Sequence, residues 1–588
     1  MAKRRRSNFY IPIFSGFRAT WQSGYTLADL RHDILAGLTI GTVALPLSMA
    51  LAIATGVPPQ HGLYTAIVAG AIIAITGGSR FNVSGPTAAF VVILFPIVQQ
   101  YGLGGLLIAT IMAGFILVAL GIARMGRLIQ FVPYPVVLGF TAGIAVVIAT
   151  MQIPDFLGLT IVETGNHFLA NLVHMFTALP SLDYYELGIG AITLTLLIIW
   201  PRLNIPIPAP LIGLIIAAIL GYLLNSTITD GQLVDTIASR FTWTIDGETG
   251  YGIPPIPPTF TTPWTLPGPN GEPLVVNFSL IVDLAGPAFA IAMLGAIESL
   301  LCAVIADGLT KTKHDPNAEL VGQGLGNIIA PFFGGITATA ALARTATNIR
   351  SGARSPVAAI VHSLVVLVAV LALAGLLGMV PMAALAALLF IIAWNMSEAR
   401  HVIRVVRNAP GGDAAILIVC FGLTVLFDMV VAVAVGIGLA AALFIQRMAA
   451  ITNSQSRSNE AHPATQGLPS SIMVYDVNGP LFFGVAEKAI TTIQGIDQQV
   501  KTVILDMQDV PTIDATAIVA LQSLVNKLQH DNVGLIMVGL PARLMVKLSR
   551  AGIKKQTGKL MYCRNLSHAR DVALRWITPP AETPEQVA

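Results

Sequence analysis

Apolar runs of membrane-crossing length, separated by short polar or Gly- and Pro-rich breaks, repeat along most of this chain. Runs near 34–54, 61–76, 103–123, 132–152, 187–200 and 209–225 fill the first part, and runs near 284–306, 320–333, 357–378, 382–397, 414–432 and 433–447 the second. A helix needs ~20 residues to cross a hydrocarbon core ~30 Å thick, so these runs predict membrane spans.

Two stretches break the pattern. Residues 82–90, with Ser84, Gly85, Pro86, Thr87 and Ala88, lead an apolar run that stops near Pro96. That run is too short to span, and it reads as a half-helix with Pro86 near its first turn. Residues 332–356 carry Gly334, Gly335, Thr337, Thr339, Ala340, Ala343, Arg344 and Thr345 among apolar segments. They read as unwound backbone opening a second half-helix from about 338. Each stretch is the third element of a set of seven, and a Gly-Gly pair precedes each. Interrupted segments at matching positions in two halves point to a transporter site, and an odd number per half makes the repeats inverted. The expected fold is a polytopic α-helical membrane protein of 14 segments in a 7+7 inverted repeat, with segments 3 and 10 as half-helices. Repeat one runs from about 34 to 225 and repeat two from about 280 to 450. A Pro- and Gly-rich loop, about 226–278, lies between them.

Composition agrees with the pattern. The 588 residues are 55% hydrophobic and 11% charged, with mean hydropathy +0.76, whereas a soluble chain carries about 25% charged residues. The net charge of +3 says little; its distribution says more. Met1-Ala2-Lys3-Arg4-Arg5-Arg6 is not followed directly by an apolar core, so residues 1–33 are expected to be a cytoplasmic segment rather than a cleavable signal. With that end inside, Arg80, Arg124, Arg127, Arg202, Lys311, Lys313, Arg350, Arg354, Arg400, Arg404, Arg407 and Arg447 all fall on the cytoplasmic side, and the external loop holds only Arg240.

A polar linker, 451–471, is expected to follow the transmembrane region 34–450. Residues 472–577 then alternate β-rich runs (472–477, 502–507, 534–538) with helical patterns (486–496, 515–529, 542–551, 567–576), which predicts a cytoplasmic α/β module. Residues 578–588 form a tail. Cys302, Cys420 and Cys563 lie far apart and suggest neither a disulfide framework nor a metal site. Without a nucleotide loop, a nucleophile-base pair or a ligand cluster, no enzyme activity, cofactor or nucleic-acid partner is expected.

Glu298 is the ionisable residue of the run 284–306. Ionisable groups inside a membrane are rare and default to function. Burial disfavours the charged carboxyl, which suits Glu298 to carry a proton with a substrate; a fixed partnership with Arg344 or with backbone N–H groups is the alternative. Arg344 lies nine residues beyond Gly335, within the membrane thickness at ~1.5 Å per residue. It adds a positive charge to the positive end of the second half-helix, so the pair favours an anion. A snorkelling Arg344 is the alternative. Ser84, Thr87 and Ala88 at the first break, and Thr339, Ala340 and Ala343 at the second, are candidate substrate contacts. The hydroxyls, including those of Thr337 and Thr345, could instead only let helices approach closely. Asp33 and Asp428 read as interfacial charges and His362 as a core residue.

Residues 58–80, with Gly62-Leu63-Tyr64-Thr65-Ala66 and the terminal Gly77-Gly78-Ser79-Arg80, resemble the signature of the SulP anion transporter family. The C-terminal module resembles the STAS domain those proteins carry. The resemblance implies a uracil-transporter-like 7+7 fold, a substrate held between facing half-helices, a core domain moving against a gate domain, and a homodimer. Residues 292–302, 319–328 and 394–399 resemble the bacterial C4-dicarboxylate transporters of that family. By that likeness Glu298 is the coupling carboxylate and Arg344 the basic residue of the tenth segment. It implies proton-coupled uptake of succinate, fumarate, malate or aspartate across a bacterial inner membrane, with both termini cytoplasmic. The alternatives are sulfate or bicarbonate transport, with sodium as a candidate driving ion, and a membrane-anchored STAS signalling scaffold. In the STAS likeness Asp514 is followed by Ala515 and Thr516 where relatives place a phosphorylatable serine, so phosphorylation there is not expected. A cytoplasmic protein partner of this domain is a further implication.

Overall fold

The computed structural model describes residues 13–129, 132–161, 168–203, 205, 207–227, 232–245, 247–269, 271–427, 429–451, 453–457, 466–481 and 499–577. The chain divides into two compact units, residues 1–440 and 441–588.

The first unit begins with α1 (Ser15–Gln22) and α2 (Leu27–Ala54), the latter opened by a reciprocal cap between Thr26 and Asp29. Then come α3 (Pro59–Thr76), β1 (Ser84–Gly85) and α4 (Ala88–Ile122). Gly102 breaks α4 with φ +68°, a conformation that favours glycine, so residues 88–101 form the half-helix and 103–122 the next segment. The first half continues through α5 (Gly126–Ile129), α6 (Tyr134–Leu157), α7 (Phe168–Ala178), α8 (Tyr184–Ile199) and α9 (Ala209–Ser226). The intervening loop is built rather than bare: it holds α10 (Ile237–Arg240) and the hairpin β2 (Thr242–Ile245) and β3 (Glu248–Tyr251). The second half runs α11 (Phe278–Thr310), α12 (Pro316–Ile329), β4 (Thr339–Ala340), α13 (Leu342–Arg350), α14 (Val357–Gly378), α15 (Met382–Met396), α16 (Ala399–Asn408), α17 (Gly411–Leu426) and α18 (Met429–Ile451).

Fourteen segments follow among the described residues: α2, α3, the two parts of α4, α6, α8 and α9, then α11 to α15, α17 and α18. Among the described residues eight helices are long and apolar enough to cross a membrane. The two halves interlock. The part of α4 after Gly102 packs on α12, and α14 packs on α2 and α3.

The half-helices begin later than their sequences suggest. Pro86 lies outside the first turn, with Thr87 at the N-cap of α4. Residues 338–341 are not helical, and α13 starts at Leu342. The reason is pairing. Ser84 faces Ala340 and Gly85 faces Thr339 in a two-stranded antiparallel sheet, which satisfies backbone groups that would otherwise be orphaned at membrane depth. Helices α7 and α16 are also additions. In α16, Arg400, Arg404 and Arg407 recur at spacings of four and three, the period of one helix face. Asp428 lies outside the described residues.

The second unit holds a five-stranded sheet of order β5-β6-β7-β8-β9: β5 (Asn453–Arg457), β6 (Ile472–Asn478), β7 (Thr502–Asp506), β8 (Gly534–Val538) and β9 (Leu560–Cys563). Strands β6 to β9 run parallel, and β5 is an antiparallel edge. The stretch expected as a bare linker therefore contributes a strand. Helices α19 (Ala515–His530) and α20 (Ala542–Arg550) bring Leu521, Leu524, Leu528, Leu544 and Leu548 into one buried cluster with Val503, Leu505 and Met537. Helix α21 (Leu566–Ile577) brings Ala569, Val572 and Ala573 into another with Ile504 and Ile536. Alternate residues of β6, β7 and β8 belong to different clusters, as the pleat requires, and all five residues of β7 and of β8 are buried. Asp514 caps α19, accepting from Ala517 N at 2.8 Å. The helical pattern at 486–496 lies outside the described residues.

Candidate functional site

The β1–β4 crossing brings two helix starts together. Both α4 and α13 open without a side-chain cap, as do α3, α6, α9, α14, α15 and α17, whereas Thr26, Asp183, Asn277 and Asp315 cap α2, α8, α11 and α12. The first N–H groups of a helix have no intrahelical partner, so two uncapped starts present donors and positive dipole ends to whatever lies between them.

Arg344, at the third position of α13, is 2% exposed. Its Nη2 donates to the Pro86 carbonyl at 2.7 Å, bridging the two half-helix leaders. Its Nε and Nη1 are buried without a partner. The guanidinium passes so close to Gly85 that a Cβ there would stand 2.7 Å from Nη1, so glycine makes room for it. This is not a snorkelling arginine.

Glu298, on α11, is half-buried, and its Oε2 accepts from the Thr87 hydroxyl at 3.1 Å. The carboxyl thus sits at the opening of α4. No ion pair joins it to Arg344 among the described residues. Ala88 is the first residue of α4, and Ala343 lies exposed in the first turn of α13. Thr87 and Glu298 meet at the opening of α4, Arg344 reaches the Pro86 carbonyl beside them, and Ala88 and Ala343 are chain neighbours of Thr87 and Arg344.

Other predicted contacts turn elsewhere. Ser84 Oγ accepts from Gln323 Nε2 at 3.0 Å, and the Thr339 hydroxyl donates to the Gly295 carbonyl at 3.0 Å. Ala340 pairs with Ser84, and its carbonyl accepts from the Cys302 thiol at 3.4 Å. Thr337 shares a 2.7 Å hydrogen bond with Thr110, and Thr345 accepts from Val83 N at 3.1 Å. These hydroxyls are engaged within the fold, and Ser84, Thr339 and Ala340 enter the sheet through their backbone.

Sequence reasoning missed Glu319 as a buried charge. It is 1% exposed in the first turn of α12 and gathers five donors. Gly78 N and Ser79 N reach Oε2 at 2.9 Å each; Asn82 Nδ2, Ser299 Oγ and Gln323 Nε2 reach Oε1 at 2.7, 3.0 and 3.5 Å. It ties the Gly77-Gly78-Ser79 turn to the second repeat. Asp33 is likewise buried rather than interfacial. It accepts from Arg354 N at 2.6 Å, from Ser355 N and from the Ser355 hydroxyl, and from Tyr25 Oη at 2.7 Å. His362 is buried in α14, as expected of a core residue. Among the described residues no group of three metal-ligating side chains occurs.

The chain matches the sulfate permease family model over residues 30–420 and the STAS domain model over residues 463–562. A Bacillus subtilis (strain 168) protein named "Putative sulfate transporter YvdB" is 40% identical over 538 residues, 91% of this chain and 96% of that protein. "Bicarbonate transporter BicA" of a Picosynechococcus species is 28% identical over 557 residues, 90% of this chain and 92% of its own. Among solved structures, the murine Slc26a9 anion transporter in the inward-facing state superposes with TM-score 0.78 at 20% identity, covering 94% of this chain and 92% of that one. That likeness establishes the fold. The transmembrane domain of a cyanobacterial BicA superposes with TM-score 0.58 at 25% identity, covering 71% of this chain and 98% of that one. The two curated relatives are named for sulfate and for bicarbonate, and neither is named for a dicarboxylate.

Proposed function

We propose that this chain, which belongs to the sulfate permease family, is an anion transporter that moves a small inorganic oxyanion, sulfate first, through the crossing of its two half-helices. One observation carries the reading. Arg344 is buried with Nε and Nη1 unpartnered, beside two helix starts that lack caps. A buried unpaired cation is costly, and an oxyanion that accepts from both nitrogens removes that cost. The adjacent N–H groups of Ala88 and Ala343 supply further donors to it.

Glu298 sets the cation requirement. A carboxylate at the opening of α4 competes with a substrate anion for the same positive end, so the two bind together only when the carboxyl is neutralised. A proton taken up by Glu298 does this, with Thr87 holding the carboxyl in place. The transport cycle then carries anion and proton together, with the termini on the cytoplasmic side as the cation distribution indicates. Bicarbonate is the second reading, favoured by the 28% identical bicarbonate transporter.

The test is uptake into proteoliposomes of the full chain under an imposed inward proton gradient, with radiolabelled sulfate, bicarbonate and succinate run side by side. Sulfate accumulation that a protonophore collapses is the expected result. Succinate accumulation in place of both inorganic ions overturns the substrate class. Accumulation that follows a sodium gradient at fixed pH overturns the proton.

A further inference from the structure

Away from the crossing, a cavity of about 810 Å³ opens between α1, the turn after α3, α5 and the α11–α12 connection. Its charged lining is unbalanced. Arg80, Arg127 and Lys313 reach it, and no carboxylate pairs with any of them among the described residues. Its two carboxylates are already engaged. Asp315 caps α12, accepting from Asn317 N at 3.0 Å and Ala318 N at 3.3 Å. Asp307 receives His314 Nδ1 at 2.7 Å, His314 N at 3.0 Å and the Thr312 hydroxyl at 3.1 Å.

His314 adds an independent sign of a ligand. Its side chain is 5% exposed and lines the cavity, yet Nε2 is buried with no partner. With Nδ1 held by Asp307, Nε2 is the ring nitrogen left for a ligand in the cavity. Nearly all buried polar nitrogens have a partner, and here the protein supplies none.

We propose that this cavity is a second anion site, separate from the crossing, that binds a phosphate group carried on an organic ligand. Three cations and one imidazole nitrogen surround a volume larger than an inorganic ion requires. Phosphate, with its several acceptor oxygens, matches donors converging from different elements. Two sources share this chemistry: the headgroup of an anionic lipid and a soluble phosphate ester or pyrophosphate. Basic pockets among membrane helices are suited to the first.

The experiment is thermal unfolding of the purified full chain titrated with dioctanoyl phosphatidylglycerol, dioctanoyl phosphatidylcholine or inorganic pyrophosphate. The wild-type midpoint should rise with phosphatidylglycerol and not with phosphatidylcholine. The double variant Arg127→Ala/Lys313→Ala alters exposed side chains, so its own midpoint should stay near that of the wild type. Its apparent affinity should fall at least about tenfold, the loss of one charge-assisted hydrogen bond. His314→Gln should weaken binding in the same direction, and Arg344→Ala should leave it intact. A response to pyrophosphate alone supports the site and assigns it the soluble source. An equal response to phosphatidylcholine, an undiminished response in the double variant, or loss of the response in Arg344→Ala overturns the proposal.

Discussion

Glu319 and Arg344 are both buried charges at the start of short segments of the second repeat, yet they are opposites in one respect. Glu319 is saturated: five donors converge on its two oxygens. Arg344 is starved: one carbonyl meets Nη2, and two of its nitrogens meet nothing. Donors from three chain segments make Glu319 a rivet, whereas the open nitrogens of Arg344 are what the proposed anion site would use. Hydrogen-bond satisfaction, rather than burial or charge, separates the two roles. Glu298 stands nearer the receptor, with a single hydroxyl partner.

Substitutions sharpen that contrast. The largest effect should come from Glu319→Ala, which leaves Gly78 N, Ser79 N and the Ser299 hydroxyl without an acceptor and takes one from Asn82 and Gln323. Breaking a buried charged network typically costs about 3–5 kcal/mol, so the variant should lose much of its folded yield, or its thermal midpoint should drop steeply. A midpoint like that of the wild type would show that the network is not structural. Next comes Glu298→Gln, which keeps the shape and removes the titratable group. It should bring proton-driven accumulation down to the level of empty vesicles while counterflow exchange persists, measured in the same proteoliposomes; accumulation at the wild-type level would remove Glu298 from coupling. Smallest is Thr87→Val, which frees the Glu298 carboxyl from its one hydroxyl. About 1 kcal/mol, or roughly fivefold in initial uptake rate, is the expected loss.

What the sequence discloses follows the same division. Arg344 and Glu298 are legible because a charge in an apolar run has no ordinary reason to be there. The interrupted third segment of each half is legible through Gly334 and Gly335, through Pro86, and through the shortness of the runs. Glu319 and Asp33 are not. Each stands near the polar start of a helix, where an acidic residue looks like a first-turn charge at an interface. The partners that bury them come from some 240 and 320 positions away, as in Gly78 with Glu319 and Ser355 with Asp33. The crossing itself is hidden for the same reason, since Ser84 and Ala340 pair across the two repeats. That pairing delays both helix starts and sends the Ser84 and Thr339 hydroxyls to Gln323 and Gly295. The strand Asn453–Arg457 is polar throughout because it is an edge, so it reads as linker. Substrate choice is illegible for a different reason: the proposed site, one arginine and two helix starts, offers donors to any small anion of suitable size.

The most direct test of the starved arginine is equilibrium binding of radiolabelled sulfate to the purified full chain and to Arg344→Ala, with the thermal midpoint of each recorded. Removing a charge-assisted contact worth about 2–3 kcal/mol should weaken binding roughly 30- to 150-fold. The midpoint should hold or rise, because an unpaired buried charge has been removed. Wild-type sulfate affinity in a folded Arg344→Ala chain would contradict the account and place the anion elsewhere.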